Sequence, residues 1–297
     1  METLNIQLAK AFKSACMQEL EALKPGNVHI FADGHGMTVE DFILSADVAA
    51  QMIALPDLTL GQRILYSVQA TYKAVACNTN LGIILLSAPL IEAALLKNEQ
   101  SLMRNLKTVL ANTSVADAQG VFDAIKLANP AGLGKSKLHD VYDKATCTLY
   151  DAMQTAAHRD LIAQQYTNNF ADIVNVGVQA YENSFNRLNN AAWSTTALYI
   201  TLLSTFTDSH IIKKNGESVA RKVMSEAKTH LIAFNNLTNP KLYFGKLLAW
   251  DTQLKSAGIN PGTTADMTVA SLLMIKIALI NNDCLHCKNT IDGRIIN

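Results

Sequence analysis

Three short turns in this sequence carry more charge and hydrogen-bonding capacity than a chain reversal needs: Lys24-Pro25-Gly26-Asn27, Asn78-Thr79-Asn80-Leu81-Gly82 and Asn260-Pro261-Gly262-Thr263-Thr264-Ala265-Asp266. In the first, Pro-Gly ends a helix cheaply, so an ordinary interhelical turn is one reading. The other has Lys24 and the Asn27 amide facing a phosphate or a ribose from a rigid corner. Asp33 and His35 follow in the same loop, where a carboxylate could hold Mg²⁺. Ahead of them, Glu19 sits on a stripe of residues that is otherwise apolar, a costly place unless the carboxylate is paired or used.

The second turn precedes a strongly apolar segment. Asn and Thr are good N-caps, and capping of a helix starting near Leu81 would explain part of it. Two asparagines, Asn78 and Asn80, flanking Thr79 exceed that need, and free N–H groups at a helix start favour an anionic phosphate. In the third turn, Thr263 and Asp266 have the T-x-x-D spacing of a capping box, as do Thr38 and Asp41. What distinguishes the third is the Asn260-Pro261-Gly262 corner before it. Asp266 could there ligate Mg²⁺ or hold a ribose hydroxyl instead of capping.

Two other patterns carry less. Gly132-Leu-Gly-Lys-Ser136 ends like a phosphate-binding P-loop, but the first glycine it requires is replaced by Asn129 and the preceding segment reads as helix, not strand. Cys284-Leu-His-Cys287 has C-x-x-C spacing without a second pair at zinc-site distance, in a polar tail (283–297) after the last helix.

The elements that must position these turns are helical. Leu8, Phe12, Ala15 and Glu19 fall three or four apart. Similar stripes run over 40–55, 61–76, 81–97, 101–111, 115–128, 146–181, 191–206, 217–234, 241–256 and 264–281. Ala and Leu dominate them and β-branched alternation is scarce. Pro25, Pro56, Pro130, Pro240 and Pro261 fall between stripes; Pro89 lies inside one and predicts a kink or a fresh helix start. The expectation is an all-α fold, one compact multi-helix domain over 1–282, with 129–145 as its longest irregular loop.

Composition limits the partners. Lys plus Arg and Asp plus Glu number 25 each, without the basic stripe of a nucleic-acid binder. The apolar run at Leu81–Leu96 is short and holds Pro89 and Glu92, and the one near the C-terminus is interrupted by Lys276, so no membrane span is expected. Five cysteines, an odd number without small-scaffold spacing, suit reduced thiols in a cytoplasm. An oligomer is possible.

Taken in order, Glu19, the Lys24–Val28 turn, Ser45, the Asn78–Gly82 turn and the Asn260–Asp266 turn resemble the triphosphoribosyl-dephospho-CoA synthase family. Further matches are Gly132-Leu-Gly134, His139-Asp-Val141, His158-Arg-Asp160, Tyr166, Asp208-Ser209, Gly216 and Trp250-Asp251, so the resemblance covers nearly the whole chain. It implies an all-helical enzyme that takes ATP and 3′-dephospho-CoA, releases adenine and joins the triphosphoribosyl unit to the acceptor's ribose 2′-hydroxyl. Asn80-Leu81 stand where the citrate-lyase branch more often has a His-Lys pair, and the first and third turns look more like a shorter archaeal and bacterial branch.

Breaking a ribose–adenine bond builds oxocarbenium character at C1′, as in glycoside cleavage. A carboxylate near the ribose would stabilise that charge and another could take the incoming hydroxyl's proton. That chemistry assigns Glu19 and Asp208 as acid/base or charge-stabilising groups, Lys24 to phosphate, and Asp33 and Asp266 to Mg²⁺ or ribose. Pro25, Gly26, Asn27, Asn78, Thr79, Asn80, Gly82, Asn260, Gly262, Thr263 and Thr264 would shape the nucleotide site. Hydrolysis or ribosyl transfer on another nucleotide, or nucleotide binding without turnover, are the competing expectations.

Overall fold

The computed structural model describes residues 2–96, 98–130 and 138–281. Within them the chain forms fourteen α-helices with a π-helical turn at Ile173–Val178 and a 3₁₀ turn at Pro240–Tyr243. The only β pairing among the described residues is two isolated bridges, His29 to Ala32 and Gly34 to Met37.

The first helix, α1 (Leu4–Glu21), buries Leu8, Phe12, Ala15, Cys16, Glu19 and Leu20, the face its spacing indicates. It stops where Ala22 turns extended, three residues before Pro25. Next come α2 (Val39–Ile53), α3 (Leu60–Val75), α4 (Leu81–Leu95), α5 (Leu102–Ala111) and α6 (Val115–Ala128). α2, α3 and α6 each open with a complete capping box, Thr38 with Asp41 among them. Pro89 starts no new helix: α4 continues through it from Leu81 to Leu95.

The stretch read as one helical run over 146–181 is four pieces. They are α7 (Leu149–Ala156), α8 (Leu161–Thr167), the π turn and α9 (Gln179–Leu188). Asp160 makes the first break, accepting from Ile162 N and Ala163 N to start α8; positive φ at Asn169 and Phe170 makes the second. α10 (Ala191–Thr205), α11 (Ser209–Asn215), α12 (Glu217–Asn235), α13 (Phe244–Ser256) and α14 (Gly262–Asn281) complete the fold. α11 falls where no helical stripe is legible. The 3₁₀ turn takes the first residues of the 241–256 stripe, and α14 begins two residues before its expected start. The P-loop-like residues 132–136, part of the expected 129–145 loop, and the tail with Cys284 and Cys287 lie outside the described residues. A helix, α6, does precede the P-loop-like stretch.

Two apolar clusters share α10 and α14. The larger gathers α1 to α8, the π turn and most of α14, with Leu198 and Leu202 from α10. The smaller gathers Tyr199, Ile200 and Leu203 from α10 with α11 to α13, Leu23 and Ala265. The first and third turns therefore sit on the seam between the two. α14 is the described helix long and apolar enough to cross a membrane, yet 72% of its apolar window is buried inside the fold as a core helix. Cys16, Cys77 and Cys147 are free thiols.

Candidate active site

The first turn is held from three sides. Its Gly26 has φ +86°, and a Cβ there would fall 2.8 Å from Cδ of Pro261, so this glycine lets the first turn stack on the third. Asn27 Nδ2 donates to Asn260 Oδ1 at 2.8 Å, side chain to side chain across the same junction. Tyr199 OH, from α10, donates to Pro25 O at 2.9 Å.

The fourth tie is Asp251 on α13. Its Oδ1 accepts from Gly26 N at 2.8 Å, while Oδ2 faces Lys255 Nζ at 3.1 Å and His29 Nε2 at 3.4 Å. His29 Nδ1 accepts from Phe31 N, so the neutral ring carries its proton on Nε2, aimed at Asp251 without a formed hydrogen bond. Burial raises the Asp251 pKa, but His29, the Gly26 N–H and Lys255 together outweigh it and hold the group below the usual carboxylate range. No motif singled out His29, Tyr199 or Asp251 for the site; Trp250-Asp251 entered only as a matching dipeptide.

Lys24 turns inward. It is fully buried, and its ammonium donates to Glu19 Oε1 and, at 3.0 Å, to Asn27 Oδ1. Burial pushes Lys24 down and Glu19 up, and each charge offsets part of the other's desolvation. Glu19, with Cys16, Met17, Leu20, Phe42, Ala46, Asn80 and Ile83, lines a cavity of about 10 Å³, the room of a single water. Removing the ammonium would strand the carboxylate: Lys24→Met should lower folding stability by about 3 kcal/mol. Lys24→Met combined with Glu19→Gln should recover most of that loss in urea denaturation. A double variant no more stable than the single one would mean the pair is not the source of the cost.

The second turn caps and joins. Asn78 Oδ1 accepts from Leu81 N at 3.2 Å, while the N-cap residue itself, Asn80, makes no side-chain cap bond. Asn80 Nδ2 donates to Thr71 Oγ1 at 3.1 Å, and Thr79 Oγ1 meets Ser45 Oγ on α2 at 2.6 Å. Gly82 meets the third turn: a Cβ there would fall 2.0 Å from Oδ2 of Asp266 and 2.9 Å from Cδ1 of Ile162. The carboxylate of the third turn lies on the bare Cα of the second.

In the third turn the capping-box reading fails. Gly262 already belongs to α14, so Thr263 and Asp266 are both inside the helix. The N–H and hydroxyl of Thr264 donate instead to Asp208 Oδ2, each at 2.8 Å, and Asp208 Oδ1 accepts from Ile211 N at 3.0 Å. Asp208, nearly fully buried, thus clamps α11 to the start of α14, and both its oxygens are engaged.

That arrangement frees Asp266. Among the described residues its carboxylate has no hydrogen-bond donor, although the side chain is not sealed from solvent. Burial, then the charges of Asp208, Glu19 and Asp160, push its pKa well above the ordinary carboxylate value, with Lys24 opposing. Asp33 is exposed in the loop before α2, and its Oδ1 accepts from Val39 N at 2.9 Å. No group of three or more His, Cys, Asp or Glu side chains forms a ready metal site among the described residues.

The partly exposed residues at this junction are Asn78, Gly82, Asp160, Gly262 and Asp266, with His35 and His210 beside them. Solvent therefore reaches the junction where the charges of Asp208, Glu19 and Asp160 act on Asp266. A solvent-reached carboxylate among such charges suits a sugar that gains positive charge as it reacts.

Comparisons with known proteins point the same way. The family model for CitG, ATP:dephospho-CoA triphosphoribosyl transferase, matches residues 5–284. No curated protein matches the sequence. A crystal structure of a candidate triphosphoribosyl-dephospho-CoA synthase from Archaeoglobus fulgidus is similar, with 25% sequence identity and a TM-score of 0.61. The match covers 78% of this chain and 96% of that one.

Proposed function

The chain belongs to the ATP:dephospho-CoA triphosphoribosyl transferase family, and on that premise we propose how its residues divide the reaction. The enzyme moves the triphosphoribosyl unit of ATP to the ribose 2′-hydroxyl of 3′-dephospho-CoA and releases adenine. The acceptor oxygen bonds to C1′ of the donor ribose as the C1′–N bond to adenine breaks. The bonding pair leaves with the base, and the hydroxyl proton must be taken up.

The observation that carries the assignment is the meeting of the three turns, the first stacked on Pro261 and the second lying against Asp266, the clustered carboxylate left without a donor. The ribose lies over it, and the negative potential of Glu19, Asp208 and Asp160 behind it stabilises the charge that grows at C1′. Lys24 does not meet solvent in this arrangement; it offsets part of the burial that raises the Glu19 pKa. Glu19, which lines the small cavity, is the group we assign to receive the hydroxyl proton, relayed through a single water. Asp208 positions Thr264 and the start of α14.

Asp266 is also where Mg²⁺ fits. A hard-oxygen donor without a hydrogen bond suits a divalent cation, and Mg²⁺ is usually held by one or two carboxylates plus substrate phosphates, not by a preassembled cage. Bound there, the ion would neutralise phosphate charge. The reading carries a cytoplasmic location, where ATP is supplied and the thiols stay reduced.

Free adenine tests the whole. With ATP and Mg²⁺, adenine should appear only when dephospho-CoA is present. Adenine without any acceptor would mean nucleotide hydrolysis, and none with any acceptor would sink the transferase reading.

A further inference from the structure

Asp266 sits among carboxylate charges, so the donor's triphosphate needs another place, and Lys214 with two histidines beside the stacked turns supplies one. The His210 ring, on α11, packs on Gly262 of the third turn, where an added Cβ would lie 3.4 Å from it. His35 Nε2 donates to Gly26 O of the first turn at 2.8 Å. Each histidine is thus fixed to one of the two stacked turns. Burial first, and then Lys214 (exposed in the last turn of α11) on both rings, Lys213 on His210 and Lys255 on His35, push the two histidines below their ordinary pKa. Lys213 and Lys255 already face Asp160 and Asp251. Lys214 has no acidic partner among the described residues.

We infer that His35, His210 and Lys214 form a docking rim for the polyphosphate of the donor, on the outer edge of the site where Asp266 takes the ribose. The inference rests on the transferase reading for the identity of the donor, but the rim recognises polyphosphate as such. Its logic is polarity. Lys214 is a standing cation and the two rings gain charge when an anion docks, while Asp266 sits among carboxylate charges, so one orientation of the nucleotide brings its anionic end to the rim and its reacting C1′ to Asp266. The buried Lys24, spent on Glu19, is not needed for phosphate. Asp266 lies one turn along α14 from Gly262.

Inorganic tripolyphosphate is the probe. Titrated into the full-length protein without nucleotide, it should bind and should raise the pKa of His35 and His210, read from their ring proton signals. Lys214→Glu should weaken that binding by about tenfold or more and raise KM for ATP in parallel. Lys107→Glu, the same charge change on the exposed face of α5, should do neither. Unchanged binding in Lys214→Glu, or an equal loss in Lys107→Glu, overturns the rim. Tripolyphosphate bound at the rim in a protein that never releases adenine would refute the transferase reading and leave the rim standing.

Discussion

Asp266→Asn should reduce adenine release by about 100- to 1,000-fold, the scale on which a preorganised electrostatic group acts, while leaving the fold intact. The substitution is nearly isosteric and breaks no hydrogen bond, because the carboxylate accepts none among the described residues. Stability supplies a second readout with a definite sign. The folded-state pKa of Asp266 lies above its unfolded value, so its contribution to stability is fully present below the unfolded pKa and is lost as pH rises through the folded one. Asparagine has no such loss. The melting temperature of Asp266→Asn should therefore exceed that of the wild type by more near pH 8 than near pH 5, without nucleotide or metal. ATP with Mg²⁺ should narrow the difference by stabilising the charged carboxylate. A gap that shrinks as pH rises would mean that the ionised carboxylate supports the fold, as a structural cap would.

Gly82→Ala should be nearly as damaging for an unrelated reason. Helix propensity favours the change by about 1 kcal/mol, and a helix whose second residue is glycine ought to welcome a methyl group. The site forbids it, since the Cβ would fall 2.0 Å from Oδ2 of Asp266. Either the carboxylate moves or α4 and α14 part. A shift of about 1 Å in a reacting group costs on the order of a hundredfold in rate, so activity should fall that far with little change in melting temperature. Because both substitutions act on one group, Gly82→Ala added to Asp266→Asn should cost little beyond Asp266→Asn alone. Additive losses in that double-mutant cycle would separate Gly82 from Asp266.

These two residues also show what was legible. The helices were, because a three- and four-residue apolar spacing is a local property: α6 begins and ends at the expected residues, and Thr38 with Asp41 forms the expected capping box. α11 was not, since seven residues holding Lys213, Lys214 and Asn215 give too little periodicity to see. Thr263 and Asp266 have the same spacing as Thr38 and Asp41 and a different fate. The donors of Thr264 are claimed by Asp208, 56 residues earlier, and no local pattern announces a partner so far away. Asp251 was equally silent, its tie to Gly26 spanning 225 residues.

The sequence by itself determined the all-helical fold, the three turns and the residue types that could meet a nucleotide. Only tertiary structure decided which of those groups are engaged and which are free. Lys24 looks like a phosphate ligand from its motif, yet it is buried against Glu19; Asp266 looks like a cap, yet it is the carboxylate left without a donor. The reason is that a side chain's charge state and availability depend on the groups within a few ångströms of it and on its access to water, and both are set by contacts between segments remote in the chain.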